Sequence, residues 1–178
     1  MRKTIGIFGL LMCTLFAGAQ EGSQFPELTG QTVKGKVIEL PKALQGKYAL
    51  VGMSWSRKAE EAFETWVNPC YNKFILKSGM MDGLYDINVY FIPMFTGTKK
   101  GAMDNVMKRM EAESDEEIFP YVLFYKGDLE PYEKALHLKD PSKPYIFLID
   151  PNGKVVLSES GHFTEDKMLE IEKILLEN

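Results

Sequence analysis

The feature that most constrains this chain is an alternation. Short apolar runs of strand length are separated by stretches in which apolar residues recur every three or four positions. Tyr48–Trp55 and Tyr145–Ile149 read as buried strands, and Ile87–Phe95 is a third, rich in β-branched and aromatic residues. Lys58–Ser78 follows the first of them. Its Phe63, Trp66, Val67, Cys70, Phe74 and Ile75 form one apolar stripe at helical spacing. Pro69 falls inside that stripe. It has no backbone N–H and its ring crowds the preceding turn, which predicts a kink or break at Asn68–Pro69. Lys99–Glu113 is a second helix, with Met103, Val106, Met107 and Met110 on one face.

The flanks complete the pattern. Residues 20–24 read as a frayed end. From Phe25 a short strand, a turn and a short strand follow, punctuated by Gly30 and Gly35, with Val33, Val37, Ile38 and Leu40 as apolar positions. Pro41–Lys47 reads as a turn, Glu116–Tyr132 as irregular and Glu130–Leu138 as a short helix. Asp150-Pro151-Asn152-Gly153 is a turn, because proline fixes its own φ and glycine accepts a positive one. Lys154–Glu159 is its hairpin partner. Thr164 caps a last helix that has Glu165 and Asp166 in its first turn and Met168, Ile171, Ile174 and Leu175 on its buried face. The order β-β-β-α-β-α-β-β-α predicts an α/β fold: a mixed sheet, helices on both faces and an N-terminal hairpin extension.

The N-terminus carries a targeting signal. Arg2 and Lys3 precede an apolar run, Ile5–Phe16, that is shorter than the ~20 residues of a spanning helix. Ala17-Gly18-Ala19 is the small-x-small pattern of signal peptidase, so cleavage is expected after Ala19. Residues 1–19 are then a signal peptide and 20–178 one domain, periplasmic or secreted, with no stable membrane insertion. Leu11-Met12 is too bulky to make Cys13 a lipoprotein cysteine. Cys13 leaves with the signal, so Cys70 is the one mature thiol, no internal disulfide can form, and a buried, inert thiol is expected.

Charge narrows the partners. The net charge of −4 becomes about −6 once Arg2 and Lys3 are removed. The basic pairs Arg57-Lys58 and Lys99-Lys100 are too short for a nucleic-acid face. Asp82, Asp86 and Glu111–Glu117 read as a solvated acidic face. His137 and His162 have no second ligand at metal spacing, so no metal site is expected. The methionines of 103–110 share a face with Val106, which favours packing over a Cu(I) thioether site. No cofactor is expected.

The stretches KYALVGMSWSRKAEEAF and SKPYIFLIDPNGKVVLSESG resemble the thioredoxin-like superfamily, in the branch of peroxiredoxins and periplasmic thiol–disulfide oxidoreductases. The resemblance implies a three-layer fold whose first helix opens at the active-site turn. It also implies a cis proline facing that turn, here Pro144. The family motif is Trp-Cys-x-x-Cys; this chain has Trp55-Ser56-Arg57-Lys58-Ala59. Ser56 and Ala59 stand at both cysteine positions, and a serine hydroxyl cannot replace a thiolate of lowered pKa. No Gly-x-Ser-x-Gly turn surrounds Ser56 to make it a hydrolase nucleophile.

A weaker resemblance is to the thioredoxin-like mitochondrial ATP-synthase assembly-factor family. FYKGDLEPYEKALHLKDPSKPYIFLIDPNGKVV and the Trp66-x-x-Pro69 spacing carry it. It implies a chaperone role without an enzymatic one. The expectation is a redox-inactive envelope protein with no catalytic residue. Trp55, Ser56, Arg57, Ala59 and Pro144 are its expected binding face for an extended peptide or an envelope protein. The alternative is a one-cysteine oxidoreductase or peroxiredoxin-like enzyme using Cys70.

Overall fold

The computed structural model describes residues 22–177. The signal segment 1–19, its cleavage site and Cys13 lie outside the described residues. A small antiparallel sheet pairs β1 (Leu28–Gln31) with β2 (Val37–Leu40). The central sheet comprises β3 (Tyr48–Ser54), β4 (Ile87–Thr96), β5 (Tyr125–Gly127), β6 (Tyr145–Ile149) and β7 (Val155–Ser160), in the order β5-β4-β3-β6-β7. β3 is parallel to β4 and antiparallel to β6, β4 is parallel to β5, and β6 is antiparallel to β7. The helices are α1 (Glu60–Cys70), α2 (Met103–Glu113), α3 (Glu130–Leu136) and α4 (Glu165–Glu177).

The alternation along β3 divides the core. Val51 and Met53 face a cluster with Phe147, Leu123 and the α3 residues Tyr132 and Leu136. Leu50 faces the other cluster, with Trp66 and Cys70 of α1, Met103 of α2 and Met168 and Ile171 of α4. A central strand thus needs both faces apolar, and this chain supplies them. Gly52 leaves room for α1 against the sheet: a Cβ there would lie 2.7 Å from Phe63 Cε2. The last helix begins as its cap predicts, with the Lys167 N–H donating to Thr164 Oγ1 at 3.3 Å.

Several expectations are corrected. α1 runs through Asn68–Pro69 without a break, and the change comes later, as a π-helical turn over Tyr71–Leu76. The Pro69 ring leaves the Thr65 carbonyl without its usual donor, and two residues on the Tyr71 N–H reaches both Asn68 and Val67 carbonyls. Residues 116–132 are ordered, as a 3₁₀ turn over Glu116–Tyr121, the short strand β5 and the start of α3. Residues 22–24 are held to the sheet: the Gly22 N–H donates to the Val155 carbonyl at 2.8 Å, and Gln24 bridges Lys154. Asp82 is not solvated. It is 7% exposed, accepts the Gly79 N–H at 2.7 Å and pairs with Lys73 at 3.5 Å.

Candidate functional site

β3 delivers the site from the middle of the sheet. After Ser54 the chain stays extended through Ser56 (φ −135°, ψ 149°), turns once over Arg57–Ala59 and enters α1. Ser56 is the N-cap of that turn: its Oγ accepts the Ala59 N–H at 3.3 Å. The same hydroxyl donates to the carbonyl of Pro141. A serine at this position therefore caps the helix entry and fastens it to the loop that leads into β6.

That loop is organised from below. Tyr145 opens β6, and its ring stacks on Trp55 with centroids 5.6 Å apart and planes 20° apart. Its hydroxyl accepts the Lys139 and Asp140 N–H groups at 3.0 and 2.8 Å. The Asp140 carboxylate accepts the Ser142 N–H and hydroxyl at 2.9 and 2.6 Å. Those bonds, with Lys143 nearby, hold the Asp140 pKa below the usual carboxylate range. On the other side, Lys99 Nζ donates to the Trp55 carbonyl at 3.1 Å.

The sequence-selected residues fall in distinct places. Trp55, Ala59 and Pro144 are buried, Ser56 is half-buried and Arg57 is exposed. The structure brings Ser56 onto the Pro141–Pro144 segment. The peptide bond before Pro144 is not cis, a correction to what the resemblance implied; the cis bond among the described residues is Leu40–Pro41. The Pro144 carbonyl instead accepts the Gly161 N–H at 3.0 Å, joining the segment to the end of β7. Pro141, Tyr145 and Lys99 escaped sequence reasoning. Only the proximity of KDPSKPY to a strand hinted at the first two.

Cys70 lies on the buried face of α1 beside Trp66 and Phe74 and is fully buried. It is a free thiol, and burial pushes its pKa up to about 12. Among the described residues, no three His, Cys, Asp or Glu side chains are grouped to hold a metal ion. No helix there is long and apolar enough to cross a membrane.

A mixed five-stranded sheet with helices on both faces, opening α1 beside a proline-led strand, defines a thioredoxin-like protein. The chain belongs to the family described as ATP10 protein, whose model matches residues 16–175. It is also 30% identical over 172 residues to the thiol-disulfide oxidoreductase ResA of Bacillus subtilis, covering 90% of this chain and 84% of that one. Solved structures share the fold. The exposed lipoprotein thioredoxin Etrx1 of Streptococcus pneumoniae matches with a TM-score of 0.58 and 16% identity, over 86% of this chain and 100% of that one. Peroxidoxin BcpB of Mycobacterium tuberculosis matches with a TM-score of 0.54 and 14% identity, over 88% of this chain and 96% of that one.

Proposed function

We propose that this protein is a redox-inactive, thioredoxin-framed binding module of the cell envelope, with a chaperone-type role toward an extended segment of a partner protein. One observation carries the reading. The hydroxyl at the nucleophile position is already committed, capping Ala59 and binding the Pro141 carbonyl. Ala59 offers no resolving thiol, and Cys70 is buried with a raised pKa, so no thiolate stands at neutral pH. The frame that positions a partner remains: a helix entry, the Trp55–Tyr145 stack and a neighbouring proline-led strand. The apolar run at residues 5–16 and Ala17-Gly18-Ala19 support export and cleavage after Ala19.

A second reading, a one-cysteine oxidoreductase using Cys70, draws support from the oxidoreductase relative. Burial of Cys70 opposes it. Insulin reduction and peroxide consumption separate the two. Rates at the buffer background support the binding module; turnover that disappears in Cys70→Ala overturns it in favour of the enzyme.

A further inference from the structure

The chain is acidic overall, at −4. Yet three loops at the Ser54 end of β3 carry exposed cations. Arg57 and Lys58 follow β3, Lys99 follows β4, and Lys139 and Lys143 precede β6. Three sets of contacts tie these loops to one place: Ser56 to Pro141, Lys99 to the Trp55 carbonyl, and Tyr145 to the Lys139 N–H and the Trp55 ring.

Arg57, Lys58, Lys99 and Lys139 have no carboxylate partner among the ion pairs of the described residues, while Lys143 lies 3.5 Å from Asp140 and the adjoining Lys100 is paired with Asp128 at 2.7 Å. The acidic run Glu111–Glu117 sits at the far end of α2 from Lys99 and Lys100, about 16 Å along a helix of this length. Acids stand among the cations as well: Asp140 beside Lys143, Asp128 on Lys100, and Glu60 and Glu61 in the first turn of α1.

We infer that this collar is the docking surface for an acidic, extended polypeptide segment of a partner protein, laid across Arg57, Lys58, Lys99, Lys139 and Lys143. The inference rests on the binding-module reading above and names the partner's chemistry. Arg57, Lys58 and Lys139 are without a carboxylate partner among the described ion pairs and keep their field for an incoming anion, while Lys99 is held on the Trp55 carbonyl and Lys143 is shared with Asp140; in a chain of opposite net charge these cations set the direction of approach. The Trp55–Tyr145 stack and the bonds from the Lys139 and Asp140 N–H groups to the Tyr145 hydroxyl tie together the loops that bear the cations, which lowers the ordering cost of binding. A polypeptide is favoured over a nucleic acid because the collar is a few cations wide with acids among them, and a duplex or long single strand requires a continuous basic track.

The test uses fluorescence anisotropy with three labelled probes: a Glu/Val peptide, a Lys/Val peptide and a neutral Gln/Val peptide, each incapable of compact folding by length. The acidic probe is expected to bind, to weaken steadily with added salt, and to lose about tenfold in affinity in Arg57→Glu/Lys58→Glu. Lys36→Glu/Lys108→Glu, at sites away from the collar, should bind like the parent. Arg57→Gln/Lys58→Gln, a milder change with circular dichroism as folding control, should fall between. Equal affinity of all three peptides for parent and collar variants would show binding without charge selection, overturning the inference while leaving the binding-module reading standing. Tighter binding of a single-stranded oligonucleotide than of the acidic peptide also overturns it. Thiol turnover in the assays above overturns the parent reading instead.

Discussion

The Ser56 hydroxyl, at the head of α1, donates its hydrogen bond to the carbonyl of Pro141, 85 residues away in the chain. A side chain with only one proton to give has spent it, and its oxygen also accepts the Ala59 N–H. Ser56→Ala removes a cap and leaves the Pro141 carbonyl without this donor. A loss of about 1–2 kcal/mol is expected, read from the urea midpoint at unchanged slope. Ser56→Thr keeps the hydroxyl and should recover most of it. A midpoint unmoved in Ser56→Ala would refute the assigned role.

Cys70 gives a chemical test. With its pKa raised to about 12 by burial, the thiol is protonated across the physiological range. The linkage follows: an unfolded thiol ionises from about pH 8.5, while the folded one does not, so this residue's contribution is full below that pH and is lost as pH rises toward 12. At pH 8 an aromatic disulfide reagent should label native protein on the order of a thousandfold more slowly than the urea-unfolded chain. Ser56→Cys, at a helix start and half-buried, should instead label rapidly while Cys70 stays silent.

Gly52 is constrained by contact. Alanine there would place its Cβ 2.7 Å from Phe63 Cε2 and 3.1 Å from Ile146 Cδ1. Gly52→Ala should cost about 1–3 kcal/mol by overpacking between β3 and α1. Phe63→Leu frees the crowded edge, so the double variant should lose less than the sum of the singles. Strict additivity in thermal or urea unfolding would show that the contact is not the cause.

Glu159 sits half-buried on β7, 3.9 Å from Lys167, and desolvation raises its pKa despite that partner. A raised carboxyl pKa makes ionisation dearer in the folded state than in the unfolded one. Its stabilising contribution is therefore present at low pH and is lost as pH rises through the folded pKa. Glu159→Gln does not ionise. Its stability relative to the parent should grow between pH 3 and pH 7, measured by denaturant unfolding at each pH. A difference that stays flat or shrinks would contradict the shift.

How much was legible follows from the range over which each feature is decided. Tyr48–Ser54, Ile87–Thr96 and Tyr145–Ile149 were readable because burial on both faces writes itself as continuous apolar sequence. The α1 stripe, the Asp150–Gly153 turn and the Thr164 cap were readable because each obeys a local rule. β5 was not: its three residues are too few to show a period, and pairing with β4 defines it. The π-helical turn beyond Pro69 also escaped, since proline announces a missing donor without saying where the helix will absorb it.

At the site the division is sharper. The sequence by itself determined that no dithiol stands at the head of α1, because Ser56 and Ala59 are covalent facts, and it determined that Cys70 lies on an apolar helix face. Only the tertiary structure decided what Ser56 does instead, that Trp55 rests on Tyr145, and that the loops carrying Lys99 and Lys139 are tied to the Trp55–Ser56 turn. The reason is distance along the chain. Residue identity and helical phase are local properties, whereas a contact across 85 residues exists only once the sheet has set β6 beside β3.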